Sequence, residues 1–241
     1  MSIIESKENY ACIIDNLLYY GNLKPALHDE ELSKIGIKAI VSILSPKRNI
    51  PHDENKFTVL NINTEDKINC SLNEWGEKVA NFIEENINNN KPVYVHCAQG
   101  ISRSTSAILY YLMEKKGMNL KDSFNLVKSK RNVACPTIGF FKDLIVFDKK
   151  LFGQNSITLA EYSIMMLKEN FPSLDIKEIE KVYYKYQELY TNGEKKAEYK
   201  NEMENNNYEP IGYHALDELM EGIGKGKFFE RKGGSIHHPF D

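Results

Sequence analysis

Val93-Tyr94-Val95-His96-Cys97-Ala98-Gln99-Gly100-Ile101-Ser102-Arg103-Ser104 is the stretch from which the rest of the chain is read. Four apolar or aromatic positions lead into a short polar loop. The loop leads into a run with helical spacing (Ile108, Tyr111, Leu112) that Gly117 closes as a C-cap. A loop between a strand and a helix N-terminus curls so that successive backbone N–H groups point at one centre, and the first helical turn adds partial positive charge. Gly100 supplies backbone torsions that a side chain forbids. Arg103 brings a planar fork matching two oxygens of one phosphate. The expected ligand is therefore a phosphate dianion, held by Ala98, Gln99, Gly100, Ile101, Ser102 and Arg103.

Cys97 stands at the strand's end, where the donors that hold phosphate also favour a thiolate, which makes it a nucleophile at neutral pH. A cysteine in this position is otherwise inert core, but inert core has no use for a polar loop ending in arginine. His96 hydrogen-bonds nearby backbone and holds the cysteine's geometry, a role close to that of an ordinary satisfied core histidine. Ser104 donates its hydroxyl to the sulfur and assists its later departure.

Working outward, Leu17–Gly21, Ala39–Leu44, Phe57–Ile62 and Val93–His96 are short β-branched or aromatic runs bounded by turn residues, and they read as strands. Glu30–Ile35 and Leu72–Glu85 have helical spacing, the second with Trp75, Val79, Phe82 and Ile83 on one face. Asp122–Lys130 and Ile138–Phe147 add helices on either side of a break at Arg131–Pro136. The alternation predicts an α/β domain over residues 10–151, with a largely parallel central sheet flanked by helices. A boundary near Gly153-Gln154-Asn155 separates it from a mainly helical, partly flexible extension over 152–241.

In that extension Leu159–Lys168 and Ile176–Leu189 are helical in pattern. Phe171-Pro172 followed by Ile176 and Ile179 resembles the start of a ubiquitin-binding CUE module, although two amphipathic helices give the same pattern. Thr191–Glu209 has the composition of a linker or solvated helix, Ala215–Ile223 reads as a last helix, and a glycine-rich tail follows. His237-His238 lacks the further ligands of a metal site, and no metal or cofactor is expected.

With 31 basic against 34 acidic residues, the net charge of -3 offers no global cationic field, which argues against binding built on nucleic-acid phosphates or an anionic membrane. The longest apolar runs, such as Ala11–Ile14 and Leu144–Phe147, fall far short of the roughly 20 residues a membrane helix needs. The N-terminus shows no basic segment leading into an apolar stretch, and Ser2 and the Pro239-Phe240-Asp241 ending remove the common lipidation motifs. Cys12, Cys70, Cys97 and Cys135 form no CxxC pair, so a soluble protein of the cytoplasm or nucleus is expected.

His96-Cys97, five residues, then Arg103-Ser104 resembles the signature loop of the dual-specificity protein phosphatases, members of the cysteine-dependent protein tyrosine phosphatase superfamily. The likeness extends upstream to Ile14–Asn22 and Ile37–Ile43, and downstream through Tyr111-Leu112-Met113 to Gly139-Phe140. It implies a phosphotyrosine-phosphatase-like fold and hydrolysis of phosphotyrosine and phosphoserine or phosphothreonine in proteins through a cysteinyl-phosphate. It also implies an aspartate some thirty residues before the cysteine as proton donor, which falls on Asp66, with Glu65 as competitor because Asn63 stands where relatives commonly have proline. Thr137 replaces an asparagine that often braces the loop, which leaves a weakly active or phosphoprotein-binding module as the alternative. No lysine lies between Cys97 and Arg103, so a phosphoinositide phosphatase is a minor reading, as is an RNA 5′-triphosphatase. Cys70 and Cys135 are candidates for a reversible disulfide with Cys97, and the extension for docking or regulation.

Overall fold

The computed structural model describes residues 9–191. Five strands, β1 (Tyr10–Ile14), β2 (Leu18–Gly21), β3 (Ala39–Leu44), β4 (Thr58–Asn63) and β5 (Val93–His96), form one sheet in the order β1-β2-β5-β3-β4. The β2–β5, β5–β3 and β3–β4 pairs are parallel, and only β1–β2 is antiparallel. Every residue of β3 and β5 is buried, as expected of central strands covered on both faces, whose sequences are unbroken apolar runs rather than alternations. β5 lies between β2 and β3 and delivers Cys97 to the carboxyl end of the parallel strands, where open α/β sheets place their ligands.

Two elements go beyond the sequence reading. β1 pairs with β2 across a tight turn in which Asn16 takes a φ of 60°, a left-handed conformation that asparagine tolerates. α1 is the single turn Leu23–Ala26, capped by the Asn22 side chain, which accepts from the Lys24 amide at 3.0 Å. The predicted helix over Leu72–Glu85 divides into a 3-10 turn at Leu72–Glu74 and α3 (Gly76–Asn88), because the Leu72 amide and the Ser71 hydroxyl both bond Asp143, at 2.7 and 2.9 Å, and fix an entry of their own.

The helices α2 (Asp29–Lys34), α4 (Arg103–Lys116), α5 (Leu120–Lys130) and α6 (Ile138–Phe152) complete the layers. α4 is buried from Arg103 through Met113 and touches α3, α5, α6, β2 and β5, which makes it the central helix. Gly117 closes it at a φ of 66°, as a left-handed C-cap requires. Leu109 is fully buried in it, and truncation to alanine there costs about 2–5 kcal/mol.

The chain divides after Ile157 into two compact units. In the second, α7 (Leu159–Asn170) begins with a capping box between Thr158 and Glu161 and packs on α8 (Ile176–Thr191). Phe171 and Ile179 of the CUE-like pattern are buried, and Leu167 with them, whereas Pro172 and Ile176 are exposed. The expectations for the segment after Thr191, including Ala215–Ile223, the glycine-rich tail and His237-His238, lie outside the described residues. Among those that are described, no helix is long and apolar enough to cross a membrane.

Candidate active site

The loop from Cys97 to Ser102 is organised by where its carbonyl groups go. Cys97 O accepts from His96 Nδ1 at 3.4 Å, and Ala98 O from the Leu23 amide at 3.1 Å. Gln99 O and Gly100 O accept from Arg131, through Nη2 at 3.3 Å and Nε at 3.1 Å. Ile101 O accepts from the Cys135 amide at 2.9 Å, and Ser102 O from the Ser106 amide at 2.8 Å. Every carbonyl of the loop is thus taken by a group outside it. No peptide bond among the described residues is cis, and in a trans peptide the N–H points opposite to the C=O. The amides of residues 98–103 consequently turn inward around one centre, a cradle of donors for an anion.

Cys97 Sγ lies at the floor of this ring, 1% exposed, and accepts from the Gly100 amide at 3.2 Å. Gly100 has a φ of 70°, and a Cβ there would stand 2.4 Å from Gly21 C and 2.5 Å from Asn22 N, so the loop rests directly on backbone. Ser104 Oγ is 3.4 Å from the sulfur and 3.4 Å from Gly21 O, so its single hydrogen is offered to one or the other. His96 is fully buried, and burial drives its imidazole to a pKa of about 3, which keeps it neutral; the Cys97 carbonyl accepts, so Nδ1 carries the proton.

Arg103 opens α4 with its side chain 9% exposed. Nη1 donates to Thr64 O at 3.2 Å and lies 3.5 Å from Ser45 Oγ. Nε stands 3.4 Å from Asp66 Oδ2, an ion-pair distance, but its hydrogen is not aligned on that oxygen and Nε has no hydrogen-bond partner among the described residues. The side-on face of the guanidinium is therefore left with donors for two oxygens of a phosphate.

Asp66 follows β4 and reaches the loop: Ser102 Oγ donates to its Oδ1 at 2.7 Å. Glu65 accepts from Ser45 Oγ at 3.1 Å, the hydroxyl that lies 3.5 Å from Arg103 Nη1. Asp66 thus contacts the loop directly, and Glu65 approaches Arg103 through Ser45. Thr137 supports the loop through its backbone, whose N–H donates to Ser102 Oγ at 2.9 Å, while its own hydroxyl is buried without a partner among the described residues. The side chains of Ala98 and Ile101 are half-buried and that of Gln99 is exposed, so these residues serve the ring with backbone.

Arg131 is the site residue the sequence reading passes over. It is 5% exposed and its guanidinium is spent on loop carbonyls, yet in sequence it sits 31 residues after Gly100 at the end of a helix, where nothing local signals the contact. What remains at the centre is a ring of amides, a sulfur beneath, a cationic fork beside and a carboxyl group nearby. Such a set suits in-line transfer of a phosphoryl group to sulfur.

A family model for the dual specificity phosphatase catalytic domain matches residues 18–150. A protein of Invertebrate iridescent virus 6 named as tyrosine phosphatase 123R is 34% identical over 60% of this chain and 95% of its own length. Human dual specificity protein phosphatase 9 is 31% identical over 56% of this chain, which spans only 35% of that relative. The crystal structure of DUSP15 superposes with a TM-score of 0.55 at 28% identity, covering 60% of this chain and 92% of that one. Fold and site together define a cysteine-dependent phosphatase of the protein tyrosine phosphatase superfamily. Within that superfamily the chain belongs to the dual specificity phosphatase family, and relatives it matches are named as dual specificity protein phosphatases.

Proposed function

We propose that this chain dephosphorylates phosphotyrosine and phosphoserine or phosphothreonine in protein substrates through a phosphoenzyme on Cys97. The observation that carries the reading is the ring of outward carbonyls around the sulfur, with the Gly100 amide 3.2 Å from Sγ. The inward amides and Arg103 hold the three non-bridging oxygens, and Sγ attacks phosphorus opposite the ester oxygen. The S–P bond forms as the P–O ester bond breaks, and Asp66 delivers its proton to the departing oxygen. Water then attacks the phosphocysteine and gives its proton to Asp66, and the S–P bond breaks with Ser104 donating to the leaving thiolate. His96 orients the Cys97 peptide, and Ala98, Gln99, Gly100, Ile101 and Ser102 bind phosphate by their amides.

Cys97 works only with its sulfur reduced, so a reducing compartment, cytoplasm or nucleus, is the setting this reading needs. The second unit begins at Thr158, and docking of the phosphoprotein or regulation is the role proposed for it. The test is hydrolysis of an aryl phosphate and of matched phosphotyrosine and phosphothreonine peptides by the intact chain, Cys97→Ser and Arg103→Ala, with no metal added. Turnover of both peptides that both substitutions abolish supports the reading. An intact chain that binds phosphopeptides without turnover replaces it with the binding-module alternative.

A further inference from the structure

Behind the signature loop lies a second histidine. His52, in the β3–β4 connection, has a side chain only 1% exposed, and its Nδ1 is 2.7 Å from Asp29 Oδ1. Asp29 Oδ2 accepts from the Asp53 amide at 2.8 Å. Burial works against the charge on Asp29, but these hydrogen bonds outweigh it and hold its carboxyl below the ordinary value. An ionised carboxylate only accepts, so His52 Nδ1 is the donor in this contact.

The ring of His52 stands 6.5 Å from that of His96, centroid to centroid, with their planes at 76°. His96 Nδ1 is likewise a donor, toward Cys97 O. His96 therefore presents a lone pair at Nε2, and the Nε2 atoms of both rings are buried without a partner among the described residues. Buried polar atoms are rarely left unsatisfied, and one water bridges two of them at once. Tyr94, stacked on His96 at 5.8 Å and 17°, holds that ring from another side but offers no hydrogen to Nε2, because its hydroxyl donates to Asn22 O at 2.7 Å.

We infer that His52 is a positioning residue for the nucleophile, sharing a donor, one buried water, between its Nε2 and that of His96, so that Asp29, His52 and His96 together fix the Cys97 carbonyl outward. The inference rests on the phosphatase reading for its purpose, but not for its test. With the Cys97 carbonyl fixed, the Ala98 amide is fixed inward, toward the place where the thiolate is stabilised. The other charged or titratable groups near this chain of contacts are Tyr20, Asp53, Lys56, Tyr94, Arg103 and Arg131, and the substitutions below leave all of them in place.

The experiment compares His52→Phe, which keeps an aromatic ring and removes both nitrogens, with His52→Gln, which keeps an amide donor for His96. Iodoacetamide alkylation of Cys97 is followed by peptide mass spectrometry at pH 6 and pH 9, and His96 by long-range nitrogen–proton NMR. In His52→Phe the alkylation rate is expected to fall about tenfold at pH 6 and hold at pH 9, with His96 Nε2 showing the resonance of a free acceptor. In His52→Gln the rate returns to within about twofold and the resonance stays hydrogen-bonded. Equal rates in His52→Phe and the intact chain at both pH values, or equal losses in the two variants, overturn the inference. Should the phenylalanine chain not fold, the glutamine chain decides on the resonance alone: a hydrogen-bonded Nε2 sustains the inference and a free one overturns it. Neither readout needs turnover, so an inactive intact chain counts against the phosphatase reading and not against this one.

Discussion

Arg131 donates through Nε to the carbonyl of Gly100 at 3.1 Å, from outside a loop whose inner face is all donors. A second bond, Nη2 to Gln99 O at 3.3 Å, makes one buried guanidinium the clamp on two successive peptides. Hydrogen bonds to a charged donor are worth about 1.5–3 kcal/mol each. Arg131→Met is therefore expected to lower kcat/KM for an aryl phosphate by about a hundredfold or more. Steady-state kinetics on variant and intact chain check this, with circular dichroism to confirm the fold.

Asp66 and Glu65 are adjacent; Asp66 bonds the loop directly through Ser102, whereas Glu65 reaches Arg103 only through Ser45. Asp66→Asn is expected to reduce kcat about a hundredfold on phosphopeptides, in the range a positioned general acid supplies. The loss should be smaller on an aryl phosphate whose leaving group needs no proton. Glu65→Gln should stay within about threefold of the intact chain on both. Equal losses for the two variants would sink the assignment.

Gly100→Ala places a Cβ 2.4 Å from Gly21 C at a positive φ, so the β2–α1 backbone must move or the loop must open. The expected outcome is a stability loss of about 1–3 kcal/mol in urea unfolding, together with loss of phosphate binding measured by calorimetry. Undiminished phosphate affinity would contradict the carbonyl accounting.

His96 ties stability to pH. Its pKa is about 3 in the folded chain against an ordinary 6.5, because burial disfavours the imidazolium. Between those values the unfolded chain binds a proton that the folded chain does not. Stability from this group is thus complete above about pH 6.5 and declines as pH falls toward 3, by up to about 1.4 kcal/mol per unit. Urea unfolding from pH 7 to pH 5 on the intact chain and His96→Asn checks this: the variant's curve should be flatter.

Strands β3 and β5 are legible in the sequence because both of their faces are buried, which leaves unbroken apolar runs. β1 is not: Tyr10–Ile14 lies at the sheet edge, and its pairing depends on a turn at Asn16 and carries an irregularity between Cys12 and Ile14. Cys97, Arg103 and Ser104 are legible because one loop holds them at fixed spacing. Asp66 and Glu65 are not separable by spacing, since neighbours on an extended chain point to opposite sides and Asn63 obscures the register. Strand alternation continued past β4 is the signal that distinguishes them. Arg131 and His52 are invisible for a different reason, because their partners lie 31 and 23 residues away, at Gly100 and Asp29, and only the folded sheet brings them together.

The central claim is that Cys97 carries the phosphoryl group, and rapid-quench mass spectrometry of the intact chain mixed with an aryl phosphate tests it most directly. The account predicts a phosphorylated peptide containing Cys97, formed in step with a burst of free phenol and absent from Cys97→Ser. Turnover that persists in Cys97→Ser, or phosphate found on any other residue, contradicts it.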